Sequence, residues 1–234
     1  MIKKVYLKDY FQEIGYDWEN DLKDLSVVCK FTKTRVDNSK KEGEMTFGHE
    51  QTFLIKAIAQ NLKAKSFFEI GTGRGTACYA TALEPTIENI TTIDVMSFYD
   101  KMKTAIGHRP AEVSNHDIFQ LIPFEEKEKI DFKHRSELIY QLDELEDQFD
   151  FAFIDGDHDN ALIIEEDYNI CKRVVKDGAP IIFDDYHPDK FTVKSVVDKI
   201  IADDPNLEAI LLPFAGHLFD EPRKADNFGI MIIR

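Results

Sequence analysis

At 234 residues, the chain is long enough to bury the core of one large α/β domain with a modest extension. Its composition, 43% hydrophobic and 31% charged, is that of a soluble globular protein, and no apolar run approaches the roughly 20 residues that a membrane-spanning helix requires. The formal net charge of -15 disfavours a nucleic-acid substrate, whose phosphates are bound by Lys and Arg, and favours a small-molecule partner, although an acidic protein can still carry a local basic patch.

The first 48 residues show mixed charge, scattered aromatic residues and no clean hydrophobic period. We expect residues 1–48 to form a cap or an oligomer contact packed on the main domain, an arrangement consistent with a homodimer. The segment from Met1 to Tyr6 lacks the apolar stretch and the cleavage site of a signal peptide. The three cysteines are far apart and fit a reducing compartment better than a disulfide framework, so we expect a cytoplasmic protein.

From about Gln51 onward, short β-rich runs alternate with longer helical patterns. This alternation predicts βαβ units and a mostly parallel sheet. The predicted strands of these units cover residues 66–70, 89–94, 129–134, 149–155 and 179–183.

Two helices with apolar stripes are predicted over residues 51–62 and 161–176. The last two predicted strands, 207–213 and 228–233, are joined by a loop rich in glycine, proline and charge, so we expect a hairpin at one edge of the sheet. Residues 96–128 are weakly patterned and are predicted to hold one helix and a loop on the substrate side.

A glycine-rich loop, Glu69-Ile-Gly-Thr-Gly-Arg-Gly75, follows the strand at 66–70 and precedes a helix. Glycines let the backbone approach a ligand closely. The spacing is not the G-x-G-x-x-G of dinucleotide-binding proteins, and the loop lacks the Gly-Lys-Ser/Thr sequence of a phosphate-binding loop. Asp94 ends the next strand, about twenty residues on, where an open α/β sheet places its ligand crevice and where a carboxylate can accept both hydroxyls of a ribose. A turn without a ligand and a solvated acid are the alternatives, which the combination of the two features disfavours.

Residues 45–185 resemble class I S-adenosylmethionine-dependent methyltransferases. The likeness is strongest to small-molecule O-methyltransferases related to catechol O-methyltransferase and to macrolide-sugar O-methyltransferases (methyltransferase family 24 type), and it rests on the Glu-x-Gly-x-Gly-x-Gly motif. The resemblance implies a doubly wound, seven-stranded Rossmann-like α/β sheet, mostly parallel with one antiparallel C-terminal strand, over residues 49–234. It also implies S-adenosyl-L-methionine as the cofactor.

The resemblance also implies roles for single residues. Glu69, Gly71 and Gly73 line the methionine part of the cofactor, Asp94 binds the ribose, and Arg135 with Ser136 lies at the adenine. Residues 45–48 are similar to the segment that closes over the cofactor in the catechol enzyme. The candidate cofactor-binding residues are Glu69, Gly71, Thr72, Gly73, Gly75, Asp94, Arg135, Ser136 and Asp155.

Acidic residues follow two further predicted strands, in Asp155-Gly-Asp-His158 and in Asp184-Asp185-Tyr-His187. The carboxyl ends of parallel strands meet at one edge of a sheet, so we expect these carboxylates beside the glycine-rich loop. Crowded carboxylates repel one another, and a hard divalent cation, best Mg²⁺, neutralises them through oxygen ligands. The resemblance to the macrolide-sugar enzymes implies that the metal ligands are Asp155, Asp184 and Asp185.

His158 is the candidate catalytic base, because histidine exchanges protons near neutral pH and the same resemblance assigns the base role to the His of an Asp-x-x-His. As alternatives, His158 starts a helix beside a carboxylate, and the strand-end acids only cap helices or bind substrate. Asp157 is interpreted as a helix cap and the run 165–167 as a solvated helix face.

The sequence therefore predicts a Mg²⁺-dependent O-methyltransferase that acts on a small hydroxylated molecule, with neither nucleic acid nor membrane as partner. A metal-independent N- or O-methyltransferase is the rival, disfavoured by the crowded carboxylates and by the lack of the Asn-Pro-Pro-Tyr motif of amino-group enzymes. A non-catalytic cofactor-binding protein is a third interpretation, and an NAD-dependent dehydrogenase is disfavoured by the glycine spacing. The acceptor stays open among sugar or polyketide hydroxyls, catechol-like diols and other metabolites.

Overall fold

The computed structural model describes residues 2–32, 50–101, 113–213, 218–219 and 228–234. Strands and helices alternate along most of this part of the chain. The strands are β1 (Ile2–Lys4), β2 (Ser66–Ile70), β3 (Asn89–Asp94), β4 (Ile130–His134), β5 (Phe151–Ile154), β6 (Ile181–Tyr186), β7 (Ala209–Pro213) and β8 (Gly229–Ile233). The helices are α1 (Leu7–Ile14), α2 (Trp18–Thr32), α3 (Glu50–Leu62), α4 (Thr76–Ala82), α5 (Asn115–Leu121), α6 (Arg135–Leu145), α7 (Ala161–Val174), α8 (Val193–Asp203) and a 3₁₀ helix at Glu125–Lys129.

The strands within the described ranges form one sheet in the order β1-β7-β8-β6-β5-β2-β3-β4. Neighbouring strands are parallel except where β8 pairs with β6 and β7. This confirms the predicted mostly parallel α/β sheet with one antiparallel C-terminal strand. The predicted number of seven strands was one too low, because β1 adds to β7 at the edge of the sheet. All three residues of β1 are exposed, so no apolar alternation marks this strand in the sequence.

The sheet is covered on both faces because adjacent strand residues point to opposite sides. Phe67 faces α1 to α4 and stacks on Phe151, with ring centroids 4.5 Å apart. Its neighbour Phe68 faces α6 to α8 and contacts Phe149 at 5.1 Å. Strands buried on both faces read as continuous apolar runs, which explains why β2 and β5 could be predicted from the sequence.

The described part of the first 48 residues joins the sheet domain directly. Beyond β1, helix α2 packs against α3 and α4. Asp21 of α2 accepts hydrogen bonds from Lys56 Nζ of α3 and from Tyr16 Oη, both at 2.6 Å. Residues 33–49, which include the predicted cofactor-closing segment 45–48, lie outside the described residues, as do residues 102–112 in the weakly patterned stretch.

No helix in the described part of the chain is both long and apolar enough to cross a membrane. The helix predicted over 161–176 ends at Val174, because Val175 is already extended and bridges Phe149.

The sheet register brings the predicted site residues to one edge. Ile70 of β2 is paired with Ile93 of β3 on one side and with Ile154 of β5 on the other. Ile154 is in turn paired with Phe183 of β6. The segments that follow these paired residues, with the glycine-rich loop and the acidic residues, therefore emerge side by side.

Candidate functional site

The glycine-rich loop between β2 and α4 passes directly against the end of β5. Gly71 has a φ of 95°, and a Cβ at this position would lie 2.0 Å from the carbonyl oxygen of Asp155. Any side chain at residue 71 would thus push the loop away from Asp155. Gly75, with a φ of 75°, starts α4 against the ring of Tyr79. The loop conformation depends on glycine at both positions.

Asp94 at the end of β3 is bonded to this loop. Its Oδ2 accepts a hydrogen bond from the backbone N–H of Gly73 at 2.9 Å, and its Oδ1 accepts one from Met96 at 2.9 Å. Asp94 and Gly73 line an open hollow together with Met96 and Asp100. The structure therefore brings the predicted ribose-binding acid and the loop together at one hollow.

Glu69 lies beneath the loop and is almost completely buried. Its Oε2 accepts a hydrogen bond from Thr92 Oγ1, and Thr92 Oγ1 is also 2.7 Å from Thr72 Oγ1. Burial raises the pKa of Glu69 to about 8, and the hydrogen bond from Thr92 opposes this shift. Glu69 and Thr72 thus support the loop from inside the protein.

The start of α6, where Arg135 and Ser136 were predicted to meet the adenine, is tied to neighbouring elements. Ser136 Oγ lies 2.7 Å from His134 Nδ1, and the other ring nitrogen of His134 lies 2.9 Å from the carbonyl oxygen of Val95, the residue after β3. The guanidinium of Arg135 contacts Asp167 at 2.5 Å and Glu166 at 3.3 Å, both on α7. The segment is therefore held beside the end of β3.

Asp167 was interpreted from the sequence as part of a solvated helix face, and this interpretation was wrong. Asp167 is fully buried, three residues after the buried Ile164 on the inner face of α7. Burial raises its pKa to about 6, while the contact with Arg135 opposes the shift.

Three side chains, two from the loop that follows β5 and one from β6, form a compact group. Asp155, His158 and Asp185 each offer one atom, and these atoms all lie within 4.8 Å of one another. His158 Nδ1 is 3.4 Å from Asp185 Oδ2, and His158 Nε2 is 3.9 Å from Asp155 Oδ1. Burial raises the pKa of Asp185 above its usual range, and the neighbouring His158 opposes this shift. The two carboxylates offer oxygen ligands that suit a hard divalent cation, and the imidazole lies beside them.

Asp184, the third predicted metal ligand, points elsewhere. Its Oδ2 accepts a hydrogen bond from Gln51 Nε2 of α3 at 2.7 Å. Consecutive strand residues face opposite sides, so Asp184 shares the α3 side with Ile182. Asp185 has a φ of 51° within a β-bulge of β6, which re-aims its side chain toward His158. The structure thus brings Asp155 and Asp185 together and directs Asp184 toward Gln51.

Comparison with known proteins agrees with this architecture. Residues 68–186, just over half of the chain, match the family model described as a methyltransferase domain. The chain belongs to this methyltransferase family. The match confirms the resemblance to methyltransferases drawn from the sequence.

Solved structures show that the methyltransferase shares its fold with O-methyltransferases. TomG, an O-methyltransferase from Streptomyces achromogenes solved in complex with SAM, is similar with a TM-score of 0.58 and 16% identity over 88% of each chain. An O-methyltransferase from Bacillus cereus in complex with SAH is similar with a TM-score of 0.54 and 14% identity, over 96% of this chain and 94% of that one.

A curated relative matches a shorter part of the methyltransferase. A segment of 64 residues is 41% identical to the uncharacterized protein R132 of Acanthamoeba polyphaga mimivirus. The match covers 26% of this chain and 28% of the relative's length.

Sequence reasoning missed two residues of the site, Thr92 and Gln51. Thr92 carried no distinctive signal, because the neighbouring Thr91 is the same residue type in the same strand. Gln51 carried no signal, because its bond to Asp184 joins residues 133 positions apart.

Proposed function

We propose that this methyltransferase moves the methyl group of S-adenosyl-L-methionine to a hydroxyl oxygen of a small-molecule acceptor, with His158 as the base and with the help of Mg²⁺. The observation that carries the proposal is the group Asp155, His158 and Asp185, which lies at the same sheet edge as the glycine-rich loop. The backbone of Asp155 touches Gly71, so the proposed donor and acceptor regions share a border.

The residues around the glycine-rich loop support a nucleoside donor such as S-adenosyl-L-methionine. Gly71 lets the loop pass against the backbone of Asp155, and Asp94 offers oxygen atoms at the rim of the hollow for ribose hydroxyls. Arg135 and Ser136 are proposed to border the adenine. Their ties to α7 and to the end of β3 support a fixed border at this position.

The acceptor chemistry requires a proton to leave the hydroxyl group. The acceptor oxygen forms a bond to the methyl carbon, the bond between sulfur and that carbon breaks with its electron pair left on sulfur, and the hydroxyl proton moves to a ring nitrogen of His158. Both ring nitrogens of His158 lie within 4 Å of a carboxylate, so a proton accepted there meets compensating negative charge.

The donor set at this edge fits the proposed Mg²⁺. Asp155 and Asp185 would hold the ion. When bound, Mg²⁺ supplies positive charge that stabilises a developing alkoxide. Asp184 is proposed to act mainly through its bond to Gln51.

A methyl-transfer screen with labelled S-adenosylmethionine and a panel of sugars, polyketides and catechol-like diols tests the proposal. We expect transfer to the oxygen of at least one acceptor, and a His158→Gln variant is expected to lose about 10²- to 10⁴-fold in kcat. The donor analogue S-adenosylhomocysteine should bind the variant and the parent protein equally in calorimetry. A transfer rate that is unchanged in His158→Gln would contradict the base assignment, and methyl transfer to nitrogen alone would contradict the acceptor class.

A further inference from the structure

Thr192 occupies the N-cap position of α8 but does not cap that helix with its side chain. A threonine at this position commonly accepts a hydrogen bond from its own helix. Here the backbone angles are φ -79° and ψ -16°, and the side chain makes no capping bond. The hydroxyl instead donates to the carbonyl oxygen of Asp159 at 2.8 Å, in the loop that follows β5.

The backbone of Thr192 binds the same loop. Its N–H donates to the carbonyl oxygen of His158 at 2.8 Å. Thr192, at the start of α8, therefore donates hydrogen bonds to two consecutive carbonyl groups, those of His158 and Asp159. The preceding residue, Phe191, places its ring centroid 5.2 Å from that of the His158 imidazole.

The loop also has internal restraints, which Thr192 complements. Asp157 Oδ1 accepts hydrogen bonds from the N–H groups of Asp159 at 2.9 Å and Asn160 at 2.7 Å. These bonds lie within the loop and make no contact with the segment that follows β6. Within the described residues, the two bonds of Thr192 connect this loop to the segment that leaves β6, seven positions after Asp185.

We propose that Thr192 is a positioning residue that sets His158 against Asp185, with Phe191 limiting the movement of the imidazole ring. This inference rests on the proposed function for its catalytic meaning, whereas the placement of His158 can be tested without catalysis. A shift of about 1 Å in a reacting group can cost roughly 100-fold in rate, so a two-bond restraint on the loop of the base has a measurable effect.

Two substitutions at Thr192 separate the hydroxyl from the shape of the side chain. Thr192→Val keeps the backbone N–H bond and the branched shape but removes the bond to Asp159, whereas Thr192→Ser keeps the donor. Ser195→Ala is the matched control, because Ser195 Oγ also donates to a carbonyl in the same turn, that of Thr192, and makes no described bond to the loop.

The first readout is the imidazole NMR signal of His158, assigned by its loss in His158→Gln, together with Mn²⁺ affinity in a direct titration. We expect Thr192→Val to move or broaden the His158 signal and to weaken Mn²⁺ binding about threefold or more, with Thr192→Ser and Ser195→Ala close to the parent protein. A circular dichroism melt confirms that each variant is folded. A folded Thr192→Val variant with an unchanged His158 signal and unchanged Mn²⁺ affinity would overturn the inference.

The second readout is the rate of methyl transfer with the acceptor found in the screen. We expect Thr192→Val to lower kcat about tenfold, with the KM for the methyl donor unchanged, and Thr192→Ser to restore the rate. An equal loss in Thr192→Val and Ser195→Ala would show a general effect on α8 and overturn the inference. If no acceptor is methylated while the His158 signal still responds to Thr192→Val alone, the proposed function fails and the positioning role stands.

Discussion

Asp184 and Asp185 are chemically identical neighbours with different surroundings. Asp184 binds Gln51 of α3, and Asp185 joins His158 and Asp155. Their order along β6 and the bulge at Asp185 produce this difference. A sequence motif gives both carboxylates but not their directions, which is why both Asp184 and Asp185 entered the predicted ligand set beside Asp155.

This difference predicts unequal effects on cation binding. Asp185→Asn removes a charged oxygen from the compact group and is expected to weaken Mn²⁺ binding at least about tenfold. Asp184→Asn keeps the shape of a side chain that contacts Gln51, and we expect a change of less than about threefold. Titration of both variants with Mn²⁺ monitored by electron paramagnetic resonance makes the comparison. Equal losses would place Asp184 among the ligands.

Glu69 gives a pH dependence to stability. Its pKa rises from 4.5 to about 8 on folding, because the carboxyl is buried. The folded protein therefore keeps a proton that the unfolded chain has released, and the free energy of unfolding falls as pH rises from about 4.5 to about 8. The contribution of Glu69 is full at the acidic end of this window and is lost at the alkaline end.

Glu69→Gln should remove this contribution, since the amide cannot ionise but can still accept a bond from Thr92. Urea unfolding at pH 5.5, 7 and 9 measures the effect. We expect the variant to gain stability relative to the parent protein as pH rises, by at most roughly 1.4 kcal/mol per pH unit. Parallel pH profiles for the two proteins would show that Glu69 does not carry this proton.

At the scale of elements, the ion pair between Arg135 and Asp167 joins α6 to α7, and no sequence pattern predicted it. Asp167 is completely buried, and its contact with Arg135 at the start of α6 spans 32 positions of the chain. The run of three acids at 165–167 suggested an exposed helix face, but the third of them, Asp167, lies on the inner face of α7. The local hydrophobic pattern predicts α7, whereas the environment of Asp167 depends on Arg135, a partner that is distant in the sequence.

Asp167→Asn is therefore expected to destabilise the protein by about 1–3 kcal/mol, because Arg135 loses its buried partner and keeps only the exposed Glu166. Glu166→Gln is the matched control, since Glu166 contacts the same guanidinium from a largely exposed position. We expect this control to change stability by less than about 1 kcal/mol. Thermal and urea unfolding compare the two variants, and similar losses in both would contradict the assigned difference in environment.

Strands and helices with strong patterns were predictable, while short or polar elements were not. The predicted bounds of β2 and β3 agree with the structure because each strand is a nearly continuous buried run flanked by turns. β1 was missed because its three exposed residues show no apolar alternation, although they pair with β7 at the edge of the sheet. Thr192 was equally invisible, because its role arises only where the segments after β5 and β6 meet.

At the scale of the whole molecule, the parallel sheet explains why the site could be located before its geometry was known. The carboxyl ends of β2, β3, β5 and β6 lie at one edge by topology alone, so motifs after these strands must be neighbours. Side-chain direction, bulges and cross-element bonds are set by packing, and these decide which members of each motif meet. The family match accounts for the fold and the reaction class, while the proposed base and metal depend on this local packing.

The most direct test of the central claim is the rate of methyl transfer to an acceptor hydroxyl before and after metal removal. We expect EDTA-treated, desalted protein to transfer methyl groups at least about 10-fold more slowly than the untreated protein. The rate should recover when Mg²⁺ is added back, because the ion held by Asp155 and Asp185 would again supply the positive charge that stabilises the alkoxide. A rate that EDTA leaves unchanged would contradict the metal-assisted mechanism.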